Sequence, residues 1–268
     1  MSQRPFRQCR LCLRDRFLCN SHLLPRAMYR TLRSVIQTQN RNPLAFGYGF
    51  AYTTSNQTSD YLLCEECEGR LSRNGENWVL RYCYRRRGLF PLGNTLQQIP
   101  PAYADNDILI YSAASIPEID SAAITYFGMS VFWRAAAHRW RLGDRRIGIN
   151  LGPYAEPIRT YLLGQSVFPN SAALCVLVGI EDRMIEWAMN PVSHNENGFH
   201  SHTFTIPGMT FMLNVGGRLP SEFIEGSFAP SAQRLIAIFP EAERRQLAEI
   251  GRAYRSTAAK VRGESGRM

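Results

Sequence analysis

Residues 9–26, CRLCLRDRFLCNSHLLPR, hold a close cysteine pair, Cys9 and Cys12, and then a single histidine, His22, in a Ser-His-Leu-Leu-Pro run. A Cys-x2-Cys pair turns two sulfurs to one side of a tight turn, and its meaning depends on whether a second pair exists. Cys64 and Cys67 repeat the spacing after 51 intervening residues. Four thiolates match the tetrahedral preference of Zn2+, and a closed four-cysteine site has no open coordination position, so the expected role of the zinc is structural. It would hold together a segment too small and too polar to bury a sufficient core. Cys19, Cys83 and Cys175 lack such spacing and read as packed or exposed single thiols.

The charge distribution points the same way. The chain of 268 residues carries a net +9. Residues 1–87 hold 15 arginines against six acids, while the remainder, with 15 arginines and Lys260 against 16 acids, is neutral. The whole excess therefore lies on the cysteine-bearing segment, which suggests an anionic partner, nucleic acid being the commonest. No run of about 18 apolar residues exists, so no membrane span is expected. The start, MSQRPFRQCR, has no apolar stretch of signal-peptide type. A reducing, cytoplasmic setting follows, where spaced cysteines bind metal more often than they form disulfides.

The expected fold class is α+β: a small treble-clef zinc domain over residues 1–87, a linker or connecting layer over 88–120, a larger mixed α+β domain over 121–262 and a disordered tail at 263–268. The long insertion between the cysteine pairs exceeds the spacing of a compact finger and suits a hairpin between knuckle and helix. FGYGFAYTT has alternating aromatics, as a hairpin strand does. CEECEGRLSR reads as a turn passing into a helix, and a short helix is expected from about Arg26. From Ser121, SAAITYFGMSVFWRAAAHRWRLG reads as a central core helix, capped by Ser121 and stopped at Gly143. PYAEPIRTYLLG reads as a shorter helix, and AALCVLVGI, MIEWAM and HTFTIPGMTFMLNVGG as strands. A charged amphipathic helix is expected from Pro240 onward.

With these residues in view, CRLC, NSHLLPR and DYLLCEEC together resemble the HNH, or His-Me finger, endonucleases in their zinc-bearing form, over residues 5–80. The resemblance implies a ββα-metal arrangement in which His22 is the general base of phosphodiester hydrolysis. A Mg2+ or Mn2+ ion would be held by the residue before that histidine and by the residue after the second knuckle. Those positions are Ser21 and Glu68 here, and the family's asparagine falls on Ser59 or Asp60. The expected catalytic set is thus His22, Asp60 and Glu68, with Glu68 as ligand of the catalytic ion, while Glu76 lies further along and could also approach. Carboxylates suit hard cations, and a histidine near its unperturbed pKa suits a base. Read without the resemblance, Glu65, Glu66 and Glu68 are a solvated acidic face and His22 is a packed histidine. The remainder resembles, more vaguely, bacterial proteins of mobile-element or phage-defence neighbourhoods.

RYCYRRR, residues 81–87, interleaves aromatics with Arg81, Arg85, Arg86 and Arg87, a pattern suited to phosphate contact with stacking. In SHNENGFHSH, His200 and His202 share one strand face near His194 and could chelate. WRAAAHRWR reads as core packing with snorkelling arginines. No phosphate-binding glycine loop, nucleophile elbow or dinucleotide fingerprint occurs. The expectation is a metal-dependent HNH-like endonuclease acting on nucleic acid, DNA before RNA. The alternative is an inactive zinc-stabilised module that binds nucleic acid or, through residues 121–262, a protein partner or itself.

Overall fold

The run from Ser121 to Ala137 is apolar on every side and carries one charge, Arg134. Such a helix needs cover all round, and the fold supplies it from two directions. The computed structural model describes residues 4–29, 44–47, 50–53, 57–85, 89–105, 108–179, 188–196, 199–230 and 233–238. In chain order these form strands β1 (Phe6–Gln8), β2 (Asp15–His22), β3 (Leu44–Gly47), β4 (Phe50–Thr53) and β5 (Ser59–Cys64), then helix α1 (Glu65–Leu71). A π-helical turn, Ser72–Glu76, leads into α2 (Asn77–Tyr82). Next come α3 (Pro91–Gln97), β6 (Tyr103–Ala104), β7 (Ile108–Ser112) and α4 (Ser121–Ala137). The chain continues through β8 (Trp140–Leu142), β9 (Arg145–Ile147), α5 (Ala155–Leu162) and β10 (Ala172–Gly179). It closes with β11 (Met189–Glu196), β12 (Phe199–Ile206), β13 (Met209–Val215), α6 (Ser221–Glu225) and β14 (Arg234–Ile238).

The protein is α+β, as expected. A three-stranded sheet, β1-β2-β5, carries the cysteine region, and a seven-stranded sheet, β11-β12-β13-β10-β14-β7-β6, carries the rest. Within the larger sheet β10 and β14 run parallel, and the other neighbours are antiparallel. α4 lies on this sheet through Phe127 and Phe132, whose rings meet Phe204 and Phe211 edge to face, the Phe132–Phe204 centroids 4.9 Å apart. Its opposite side receives the π-helical turn, where a Cβ on Gly75 would stand 2.8 Å from the Phe127 backbone nitrogen. Glycine is required there because backbone meets backbone. Every residue from Ala123 to Ala135 is buried.

One apolar cluster runs from Cys9 to Ala237, across the boundaries expected at residues 87 and 120. The stretch expected as a connecting layer contributes α3 and the strands β6 and β7. Asp120, not Ser121, caps α4 by accepting from the Ala123 N–H at 2.9 Å, because a carboxylate one residue earlier reaches the same orphan donor. Gly143 does not stop that helix. It lies in the turn of the β8–β9 hairpin with φ 61°, while the helix ends at Ala137. The Trp140 indole N–H closes that end by donating to the Arg134 carbonyl at 2.8 Å. β3 and β4 form the expected hairpin, and residues 26–29 are helical. Most of MIEWAM, the helix expected from Pro240 and the tail 263–268 lie outside the described residues.

The Gly75 contact has a measurable consequence. Gly75→Ala should destabilise the protein by about 1–2 kcal/mol, because overpacking against rigid backbone outweighs the gain of alanine in a helix. Gly217→Ala, where a new Cβ meets nothing within 4 Å, should stay within about 0.5 kcal/mol of the parent in urea melts.

Candidate metal centre and the cluster around His22

The first knuckle is closed by backbone bonds from Cys9 N–H to the Arg14 carbonyl, 2.9 Å, and from Leu13 N–H to the Cys9 carbonyl, 2.8 Å. Leu13 takes the left-handed region, φ 59°, which lets the turn fold back tightly. The second knuckle spans the end of β5 and the first turn of α1, so β2, β5 and α1 bring the two pairs together. The sulfurs of Cys9, Cys12, Cys64 and Cys67 all lie within 4.8 Å of one another, and those of Cys12 and Cys64 are 3.9 Å apart. Thiolates about 2.3 Å from a tetrahedral zinc stand about 3.8 Å from each other. This donor set could hold a metal ion such as zinc.

The electrostatics favour the thiolate at Cys9, while Cys67 is raised by its hydrogen bond to Cys9 and by burial, and Cys64 by burial. Cys9 is lowered to about 4, chiefly by a hydrogen bond from the Cys67 thiol, against the opposing effect of burial. The Cys64 backbone N–H also donates to the Cys9 sulfur at 3.3 Å. From the far half of the molecule, Arg159 on α5 donates to the Leu11 carbonyl inside the knuckle at 2.6 Å, while Glu156 fixes its guanidinium. Cys19, Cys83 and Cys175 stand outside the cluster as free thiols.

His22 ends β2, opposite Ser59 on β5. Its ring is half-buried and hydrogen-bonds Gln57. Burial lowers its pKa, and the charges of Arg26 and Arg134 add to this, so the neutral base form is favoured. Glu65 and Glu66 are exposed, but Glu68, the residue after the second knuckle, turns inward. It hydrogen-bonds the buried Ser21 hydroxyl, and burial raises its pKa against the pull of Arg134. Its Oε1 is buried without a hydrogen-bond partner. Glu76, at the end of the π-helical turn, accepts from Arg134 Nη2 at 2.7 Å. Arg134 Nη1 donates to the His22 carbonyl at 2.9 Å. The side chain of Arg134 is 2% exposed and that of Glu76 13%. The expectation of a snorkelling arginine is therefore corrected. The middle of α4 has no route to water, so the charge is held by pairing instead.

Asp60 is engaged elsewhere. Its Oδ2 lies 2.8 Å from Nε2 of His138, at the end of α4, and its Oδ1 accepts from the Tyr61 N–H at 2.8 Å. Burial would raise the Asp60 pKa, but the His138 hydrogen bond, the Tyr61 N–H and the charges of His138 and Arg146 lower it overall. The His138 ring stands edge-on to Trp140, with centroids 5.2 Å apart. Among the described residues, no set of three or more His, Cys, Asp or Glu side chains other than the four cysteines converges to hold an ion.

Arg81 and Arg85 are exposed as expected, and Arg86 and Arg87 lie outside the described residues. The aromatics between them are not a stacking platform for bases. Tyr84 is buried, and Tyr82 stacks on Trp78 at 4.3 Å, because α2 returns them to the core. His200 is exposed on β12, whereas His202 is buried with Nδ1 2.9 Å from the Ser193 hydroxyl and is lowered to about 4 by burial. Two residues escaped the sequence reading. Arg134 carried a signal, as the one charge in a long apolar helix, which burial must pair. His138 carried none, since its partner is 78 positions away. No family model, no curated protein and no solved structure matches the chain.

Purified protein should carry one zinc per chain by elemental analysis. Cys64→Ser should release it and unfold the β1-β2-β5 sheet, since metal binding and folding are coupled. Well-folded parent protein free of zinc would contradict this.

Proposed function

We propose that this chain is a nucleic-acid-binding protein on a zinc-stabilised treble-clef frame of the HNH kind, in which a guanidinium takes the place of the catalytic cation. The frame is supported by the order of its parts: knuckle, strand ending at His22, returning strand, second knuckle, helix. Affinity for nucleic acid is supported by the net +9 concentrated in residues 1–87.

The observation that carries the reading is the lodging of Arg134. In the HNH arrangement the divalent ion would sit between the positions of Ser21 and Glu68. Those side chains are hydrogen-bonded to each other, and the charge of Arg134 acts on Glu68 while its guanidinium holds Glu76 and the His22 carbonyl. A serine offers no negative ligand, and a second cation would be repelled at close range by a buried guanidinium. Asp60, the further oxygen ligand, is held by His138.

Two observations favour the other reading, a metal-dependent endonuclease. Glu68 Oε1 is a buried acceptor with no partner, and His22 is neutral enough to take a proton from water. In that case His22 would be the base, and Glu68 would hold Mg2+ or Mn2+.

The two readings separate in one experiment. The protein should bind DNA or RNA oligonucleotides with an affinity that falls steeply with salt, and should leave them uncut in excess Mg2+ or Mn2+. Cleavage that His22→Ala abolishes without loss of binding would establish the endonuclease instead.

A further inference from the structure

The first two strands form a ribbon with an exposed outer stretch. Every residue of β1 is exposed, as are Asp15, Arg16 and Phe17 of β2. The register sets Phe6 opposite Phe17 and Arg7 opposite Arg16. The two phenylalanines touch edge to face at 5.2 Å, yet they are 61% and 62% exposed. Leu13, at the tip, is also exposed. Like charges directly opposite on paired strands are destabilising, and neighbouring Arg10 and Arg14 add to them. Among the described residues no ion pair reaches Arg7, Arg10, Arg14 or Arg16, whereas Arg4 has one with Glu65 at 3.5 Å. The turn that joins the two strands is the first cysteine knuckle itself, and the Arg159 bond to Leu11 holds that end of the ribbon in place.

We propose that this ribbon binds single-stranded nucleic acid, with bases stacked on Phe6 and Phe17 and phosphates met by Arg7, Arg10, Arg14 and Arg16. The inference rests on the nucleic-acid reading above and names the surface and the strandedness. Exposed aromatic faces need a planar apolar partner, and unpaired bases supply one at each nucleotide together with an anion. Alternation along a strand puts the ring pair and the Arg7–Arg16 pair on opposite faces. β1 is the edge of its sheet, so a backbone passing over the rings can curve round that edge to the arginines. A duplex hides its base faces by stacking and pairing them, which would leave both rings in water. An acidic peptide would neutralise the arginines and leave the rings without a planar partner.

The test uses the full chain with zinc bound and labelled single strands of about 12 nucleotides, beside the matching duplex. Phe6→Ala/Phe17→Ala should weaken single-strand binding by roughly tenfold or more while leaving duplex binding unchanged. Arg7→Ser/Arg16→Ser should reduce the slope of log affinity against log salt by about 1.4, the value for two phosphates of a single strand. Zinc content and circular dichroism should match the parent for both, since the altered side chains are exposed. If the parent binds nucleic acid and both variants bind it equally well, the ribbon is not the site, although the broader reading survives. Preference for the duplex overturns the strandedness. A parent that binds no nucleic acid, or only acidic peptide, overturns both.

Discussion

The guanidinium of Arg134 is the interaction on which the arrangement depends. A full charge in the middle of an apolar helix persists only when it is paired and hydrogen-bonded. Its partners come from three places: Glu76 at the end of the π-helical turn, the His22 carbonyl at the end of β2, and Ser130 one turn back on its own helix at 3.5 Å. Pairing one buried cation therefore fixes the π-helical turn, the strand after the first knuckle and α4 relative to one another. Gly75 allows the approach by removing the side chain that would keep the π-helical turn off Phe127.

Further polar contacts repeat the pattern of a donor on one half reaching a backbone carbonyl or carboxylate on the other. Arg159 holds Leu11, Arg70 donates to the Leu163 carbonyl at 3.0 Å, and His138 holds Asp60. The apolar cluster beneath them is continuous. The cysteine region thus has two supports, its own four-cysteine cluster, which could hold a metal ion such as zinc, and the face of α4 and α5. Among the described residues, no helix is long and apolar enough to cross a membrane.

How much of this was legible in the sequence follows from the range of each interaction. The four cysteines could be read because the repeated Cys-x2-Cys spacing is a local pattern, whatever the fold around it. α4 could be read because a helix without a polar face must be enclosed. The strands β10, β12 and β13 were evident from their β-branched, aromatic and apolar composition. Pairings across the chain were not legible. Glu76 and Arg134 are 58 positions apart and Asp60 and His138 are 78 apart, and no local pattern joins them. The same applies to Tyr84, whose place beside arginines suggested exposure, whereas its backbone N–H bonds the Pro207 carbonyl and its ring is buried. The cap of α4 was missed by one residue, since Asp120 and Ser121 are adjacent and both residue types cap well.

The most direct measurement of the central claim is anomalous diffraction from crystals soaked in Mn2+. The account predicts a zinc peak among the four cysteines, no manganese peak between Ser21 and Glu68, and the Arg134 guanidinium in contact with Glu76 and the His22 carbonyl. A manganese ion bound by Glu68, with Arg134 turned away, would contradict it.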